Sequence, residues 1–135
     1  MTVRQLIDVQ EYWKVIVWYN ADYNFFGGMV KDLKDAGFSR DFVKEVMLTL
    51  YSGSAKAATC SSTRDKVSIV IFNPHESTVD YLNSAVHEAE HIKQAMLYAY
   101  KIEDAGEPPA YTIGYLIGRM WEVLGSIVCP VCSRL

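Results

Sequence analysis

The spacing of apolar and polar residues in this chain of 135 residues predicts three strands and four helices. Residues 10–20 form the first predicted strand, because the second half is β-branched and aromatic and the residues that follow favour a turn. Two helices come next, over residues 25–37 and 40–51, where apolar residues recur every three or four positions. Gly37 is suited to end the first helix and Ser39 to cap the second.

The second half of the chain begins with a predicted hairpin. Residues 56–62 form a weak strand, and residues 67–72 form a strong one whose nearly unbroken apolar run is typical of a strand buried on both faces. The residues between them are expected to form the hairpin loop. Pro74 cannot continue a ladder of hydrogen bonds, so the second strand ends before it.

Two long helices complete the pattern. Ser77 or Thr78 can cap the first, and the turn of residues 104–106 follows it. Pro108 and Pro109 are compatible with the first turn of the last helix.

This order of elements predicts a single α+β domain over residues 1–135, with residues 129–135 as a flexible tail. The 16 acidic and 13 basic residues give a net charge of −3, and no basic run occurs, which argues against a nucleic-acid binder. The longest apolar stretch, residues 110–128, contains Arg119 and Glu122 and therefore predicts a buried helix rather than a membrane span. No secretory signal is recognisable, so we expect a cytoplasmic protein that contacts neither nucleic acid nor a membrane.

The three cysteines are too few for a disulfide framework. Cys129 and Cys132 have the CxxC spacing of half a zinc knuckle or of a redox pair, and Cys60 is the only other cysteine. Because no further ligands stand at a suitable spacing, we interpret Cys129 and Cys132 as reduced thiols in the tail. A dimer that joins two such tails is the alternative.

The residues that indicate chemistry are His87-Glu88-Ala89-Glu90-His91, an HExxH motif. Four residues advance a helix by about 400°, so the two imidazoles lie on nearly the same face and can converge on one metal ion. Glu88 projects about 100° to one side, where it can act as a base without being a ligand. Catalytic zinc sites use three protein ligands and leave a fourth position for water. The motif supplies two of these ligands and the base.

The third ligand has to come from an acidic residue further along the chain. The candidates are Glu103, Asp104, Glu107 and Glu122. A motif helix that continues to Ile102 carries the chain about 16 Å past the metal, and five extended residues can return about 17 Å. Glu107 can therefore just reach the metal, whereas a long straight helix favours Glu122 on an antiparallel partner.

An HExxH followed at short range by a glutamate that opens a second helix resembles the zincin metallopeptidases of the gluzincin type. The segment from Gly106 to Tyr111 and the following Gly114 are similar to the pattern in small zinc peptidases encoded by phages and mobile elements of bacteria. The resemblance covers about residues 67–118. The double proline after Glu107 departs from the pattern.

This resemblance implies a fold and an activity. The fold would be a minimal zincin-like domain, a small sheet of about three strands packed on the HExxH helix and a following helix. The cofactor would be Zn²⁺, held by His87, His91 and Glu107. Glu88 would act as general base on a zinc-bound water that hydrolyses peptide bonds in a peptide or protein substrate. Residues 67–72 would be the edge strand that lines the cleft and pairs with extended substrate.

The surroundings of the motif favour a metal site. The flanking residues that are small or apolar are Ala85, Val86, Ala89, Ile92, Ala95 and Met96. They predict a helix largely surrounded by protein, in which two histidines without a metal are hard to satisfy. On a solvated surface, the alternative, Glu88 and Glu90 would pair with Lys93 or stay hydrated.

The last helix carries two further features. Gly114 and Gly118 are four residues apart and would let this helix pack closely against another, the HExxH helix being the expected partner. Tyr111 could donate a hydrogen bond to an oxyanion, although a tyrosine of the core or rim is the plainer interpretation.

Two other functions stay open. The chain could be a non-catalytic metal-stabilised or protein-interaction module that retains the zincin fold, or a structural protein in which the motif is accidental. The presence of Glu88 favours the enzyme. A chain this small could need a homo-oligomer or a partner to complete a specificity pocket.

Overall fold

The computed structural model has an α+β fold built on a four-stranded mixed sheet, and it describes residues 1–128 apart from the side chains of residues 25 and 128. The strands are β1 (Val3–Val9), β2 (Trp13–Tyr19), β3 (Ala57–Ser62) and β4 (Val67–Phe72). Their order in the sheet is β1-β2-β4-β3. The two central strands, β2 and β4, are parallel, and each outer strand is antiparallel to its neighbour.

Four α-helices and a short 3₁₀ helix accompany the sheet. They are the 3₁₀ helix Tyr23–Phe25, α1 (Phe26–Asp35), α2 (Arg40–Tyr51), α3 (Thr78–Tyr100) and α4 (Glu107–Val128). The predicted bounds of α2 and β4 are confirmed, as are the prolines in the first turn of α4. Ser39 and Ser77 cap α2 and α3 by accepting hydrogen bonds from backbone N–H groups three residues on.

The sheet lies between two helical layers. One face packs against α3 and α4, with Trp13, Val17 and Phe72 among its fully buried side chains. The other face packs against α1 and α2 through side chains such as Ile69 and Ile71. The alternation of side chains along each strand therefore supplies two cores, one on each side of the sheet. Among residues 1–128, no helix is long and apolar enough to cross a membrane.

The prediction of about three strands was wrong because β1 was not recognised. Its sequence alternates polar and apolar residues, as expected for a strand covered on one face. The turn after it places Gln10 and Glu11 at positive φ (51° and 66°), where glycine or asparagine is usual. Because the turn was not recognised, the predicted first strand began at residue 10, whereas the observed strand β2 begins at Trp13.

The prediction that residues 67–72 form an edge strand was also wrong. This strand, β4, pairs with β2 on one side and β3 on the other, so it has no free edge. Its burial on both faces, which the apolar run predicted, is confirmed. The free edges of the sheet belong to β1 and β3.

Gly114 and Gly118 do not pack against the HExxH helix, contrary to the prediction. Both are exposed, and a Cβ atom built on either would meet no atom within 4 Å. Leu116, Met120 and Leu124 are buried in the core shared with α3 instead. Helix α4 therefore turns an apolar face to α3 and leaves Gly114 and Gly118 in solvent. The predicted tail, with Cys129 and Cys132, lies outside the described residues.

Candidate metal centre

Helix α3 brings the two histidines of the motif together. The Nε2 atoms of His87 and His91 are 3.2 Å apart, and the ring centroids are separated by 4.8 Å. Two nitrogen ligands bound to one tetrahedral Zn²⁺ at about 2.0–2.1 Å are roughly 3.3–3.4 Å apart. This separation is close to that of two ligands on one zinc ion, and it is also the length of a hydrogen bond between the two rings.

The histidine pair lies on the surface of the protein. Both residues are exposed, and the side chain of His87 is 69% accessible. The expectation that the HExxH helix is largely surrounded by protein was wrong on this face, because α3 lies on the sheet and beside α4, and no part of residues 1–128 covers its outer face. A metal held here would be open to solvent and to a second molecule.

Glu88 lies at the buried edge of the same site. Its residue exposure is 6%, and its Oε1 accepts a hydrogen bond of 2.9 Å from Oγ1 of Thr59 in β3. Its Oε2 is 3.9 Å from Nε2 of His87. One carboxylate oxygen is thus held by the edge strand and the other remains beside the histidines.

Thr59 is a site residue that sequence reasoning missed. It belongs to a strand whose small, mixed side chains gave only a weak signal. Its contact with Glu88 joins residues 29 positions apart in the sequence, so no local spacing indicated it.

No acidic or cysteine residue joins the histidine pair as a third ligand among residues 1–128. No group of three or more His, Cys, Asp or Glu residues is close enough to hold one ion in that part of the chain. Glu107 is the first residue of α4, and α3 continues for nine residues beyond His91, a rise of about 13 Å. The structure therefore does not bring Glu107 to the pair.

The connection between α3 and α4 is fixed on the far side of α3. Nζ of Lys93 lies 2.7 Å from Oε1 of Glu90 and 2.9 Å from Oδ1 of Asp104. Both hydrogen bonds raise the pKa of the Lys93 ammonium, and the one to Glu90 has the larger effect. Lys93 is two residues after His91, hence about 200° around the helix. This ion pair holds Asp104 away from the histidines.

The remaining candidates also lie apart from the pair. Glu103 is exposed in the same connection, and Glu122 pairs with Arg119 on α4 at 3.3 Å. Tyr111 is 75% exposed, which agrees with a tyrosine of the rim. His75 is half-buried between the carbonyl of Asn73 and the hydroxyl of Ser84, and it stacks on Tyr81.

Cys60 stands next to Thr59 but belongs to the opposite face of the sheet. Its side chain is buried in the core formed with α1 and α2. Burial, with a smaller effect from the charge of Glu88, raises the pKa of the Cys60 thiol to about 11. A protonated thiol of this kind is a poor metal ligand, so Cys60 is a core residue.

Comparison with known proteins adds no relative: no family model, no curated protein and no solved structure matches this chain. The resemblance to gluzincins consequently depends only on the residues of the HExxH motif and on those at the beginning of α4.

Proposed function

We propose that this protein is a zinc-dependent hydrolase of peptide bonds with a zincin-like fold, in which His87 and His91 hold the metal. The observation that supports the proposal most strongly is the 3.2 Å between the two Nε2 atoms. When bound, Zn²⁺ polarises a carbonyl and lowers the pKa of a coordinated water towards about 7.

Glu88 is the proposed general base. Its Oε2 lies 3.9 Å from Nε2 of His87, and its Oε1 accepts the hydrogen bond of Thr59, which fixes the orientation of the group. A buried carboxylate that already has one donor accepts the proton of the attacking water through its remaining oxygen and returns it to the leaving amine.

The proposed substrate strand adds to β3 rather than to β4. β3 is an outer strand of the sheet, and Thr59 places it beside the motif helix. An extended peptide that pairs with the free edge of β3 would run past the histidine pair. Main-chain hydrogen bonds of this kind would bind peptides of many sequences, so we propose a weakly selective site.

Glu107 remains the proposed third ligand by resemblance to the gluzincin pattern. For its carboxylate to reach the pair, the start of α4 has to move, and the contact between Lys93 and Asp104 opposes that movement. The same observation favours a second candidate function. A pair of exposed histidines without a third ligand fits a metal-dependent interaction module, in which another molecule completes the coordination.

Cleavage of a peptide library by the Glu88→Gln variant distinguishes the two functions. We expect zinc-loaded wild-type protein to cleave and Glu88→Gln to lose at least about 100-fold in rate, since the base is removed while the shape of the side chain is kept. Glu45→Gln is the matched control, the same substitution at an exposed residue of α2 on the opposite face of the sheet, and should retain the rate. Zinc-dependent cleavage that survives in Glu88→Gln contradicts the assignment of the base. Zinc binding without any cleavage supports the interaction module.

A further inference from the structure

An apolar groove runs between α1 and α2, on the face of the sheet opposite the histidine pair. Its volume is about 610 Å³. Val30, Val43 and Met47 contribute aliphatic surface to it, and the large exposed side chains along it are Phe26, Leu48 and Tyr51. Phe26, Leu48 and Tyr51 are between 50% and 69% exposed, and together with the aliphatic side chains they form one continuous apolar lining.

Three cations line the same groove. They are Lys34, Arg40 and Lys44, and the only carboxylate that accompanies them is Asp41. None of the three cations takes part in an ion pair among the described residues. A chain with a net charge of −3 therefore has a positive surface at this place.

The charges lie at one end of the groove and the aromatic rings at the other. Lys34 is in the last turn of α1 and Arg40 opens α2, so both stand beside the short turn that joins the helices. Tyr51, the last residue of α2, contacts Tyr23, which precedes α1, with ring centroids 5.4 Å apart. Tyr51 is eleven positions after Arg40 on α2, so these ends are about 16 Å apart.

We propose that this groove binds a long-chain carboxylate, with the carboxylate at Lys34, Arg40 and Lys44 and the hydrocarbon chain directed towards Tyr51. The volume lies within the range of about 300–1,000 Å³ that is usual for small-molecule sites. A groove about 16 Å long leaves room for an extended hydrocarbon chain along the two helices.

Calorimetric titration with dodecanoate and with dodecylammonium, both below their micelle concentrations, tests the occupant. The two probes have the same chain and opposite head groups. We expect dodecanoate to bind once per chain and dodecylammonium to bind at least about tenfold more weakly, because like charges repel at the cationic end. Equal affinity for the two probes, or no binding of dodecanoate, overturns the proposal.

Two variants locate the site. Arg40→Gln/Lys44→Gln should weaken dodecanoate binding about fivefold or more, since exposed charge pairs contribute modestly and the effects of two add. Lys31→Gln/Arg64→Gln changes the net charge equally at exposed residues outside the groove and should bind like wild type. Leu48→Asp, on the exposed apolar wall, should also weaken binding. Unchanged affinity in Arg40→Gln/Lys44→Gln overturns the proposal.

Discussion

At the level of single residues, the hydrogen bond from Thr59 to Glu88 connects the candidate base to the sheet. Glu88 is almost completely buried, and a buried carboxylate is costly unless a donor satisfies it. The two histidines beside it need no such partner because they are exposed. The position of Glu88 therefore depends on a residue of β3, whereas the positions of the two histidines depend on α3 alone.

Thr59→Val tests this dependence. The substitution keeps the shape and removes the hydroxyl, so we expect the free energy of unfolding to fall by about 1–3 kcal/mol. Urea denaturation measures the change, with Thr49→Val as control, since Thr49 is exposed on α2 and bonds only to its own helix. If Thr59→Val and wild type unfold at the same urea concentration, the hydroxyl does not hold Glu88.

At the level of elements, local patterns predicted most helices and strands but not their neighbours in space. The apolar stripe and Ser39 were sufficient for α2, and the apolar run was sufficient for β4. The order of strands depends on long-range pairing, so β4 was misplaced at the edge. β1 was missed because the turn that follows it was not recognised. Gln10 and Glu11 adopt positive φ in that turn, where glycine or asparagine is usual.

A substitution at Gly114 of α4 tests whether this face of the helix is packed against another element. Gly114 is exposed and a Cβ atom would meet nothing within 4 Å, so Gly114→Ala should raise the free energy of unfolding by about 0.5–1 kcal/mol. Gly106→Ala is the control, because φ of +78° there disfavours alanine and predicts a loss. Thermal unfolding measures both. A loss of stability in Gly114→Ala would mean that the glycine face is packed.

At the level of the whole molecule, the sheet separates two surfaces of different chemistry. The histidine pair and Glu88 lie with α3 on one side, and the groove with its cations lies between α1 and α2 on the other. The sequence predicted that His87 and His91 lie together, because four-residue spacing on a helix is a local property, but it did not predict that the pair is exposed. The second surface depends on how two short helices pack, which single-residue patterns do not indicate.

The position of Glu107 relative to the histidine pair could not be predicted for a related reason. Whether Glu107 returns to His91 is decided by the length of α3 and by the bond between Lys93 and Asp104, eleven residues apart. The local pattern predicted the turn of residues 104–106. It did not predict on which side of α3 the contact between Lys93 and Asp104 places that turn. A Zn²⁺ titration of Glu107→Gln against Glu103→Gln addresses this point. A loss of affinity of about tenfold confined to Glu107→Gln is expected for a ligand.

The measurement that tests the central claim most directly is the amount of Zn²⁺ bound by chelator-treated protein in equilibrium titration. We predict one Zn²⁺ per chain for wild type and for Gln94→Ala, an exposed residue one turn from the pair, and none for His91→Ala at the same concentrations. A wild-type chain that binds no Zn²⁺, or a His91→Ala variant that binds as much as wild type, would contradict the account.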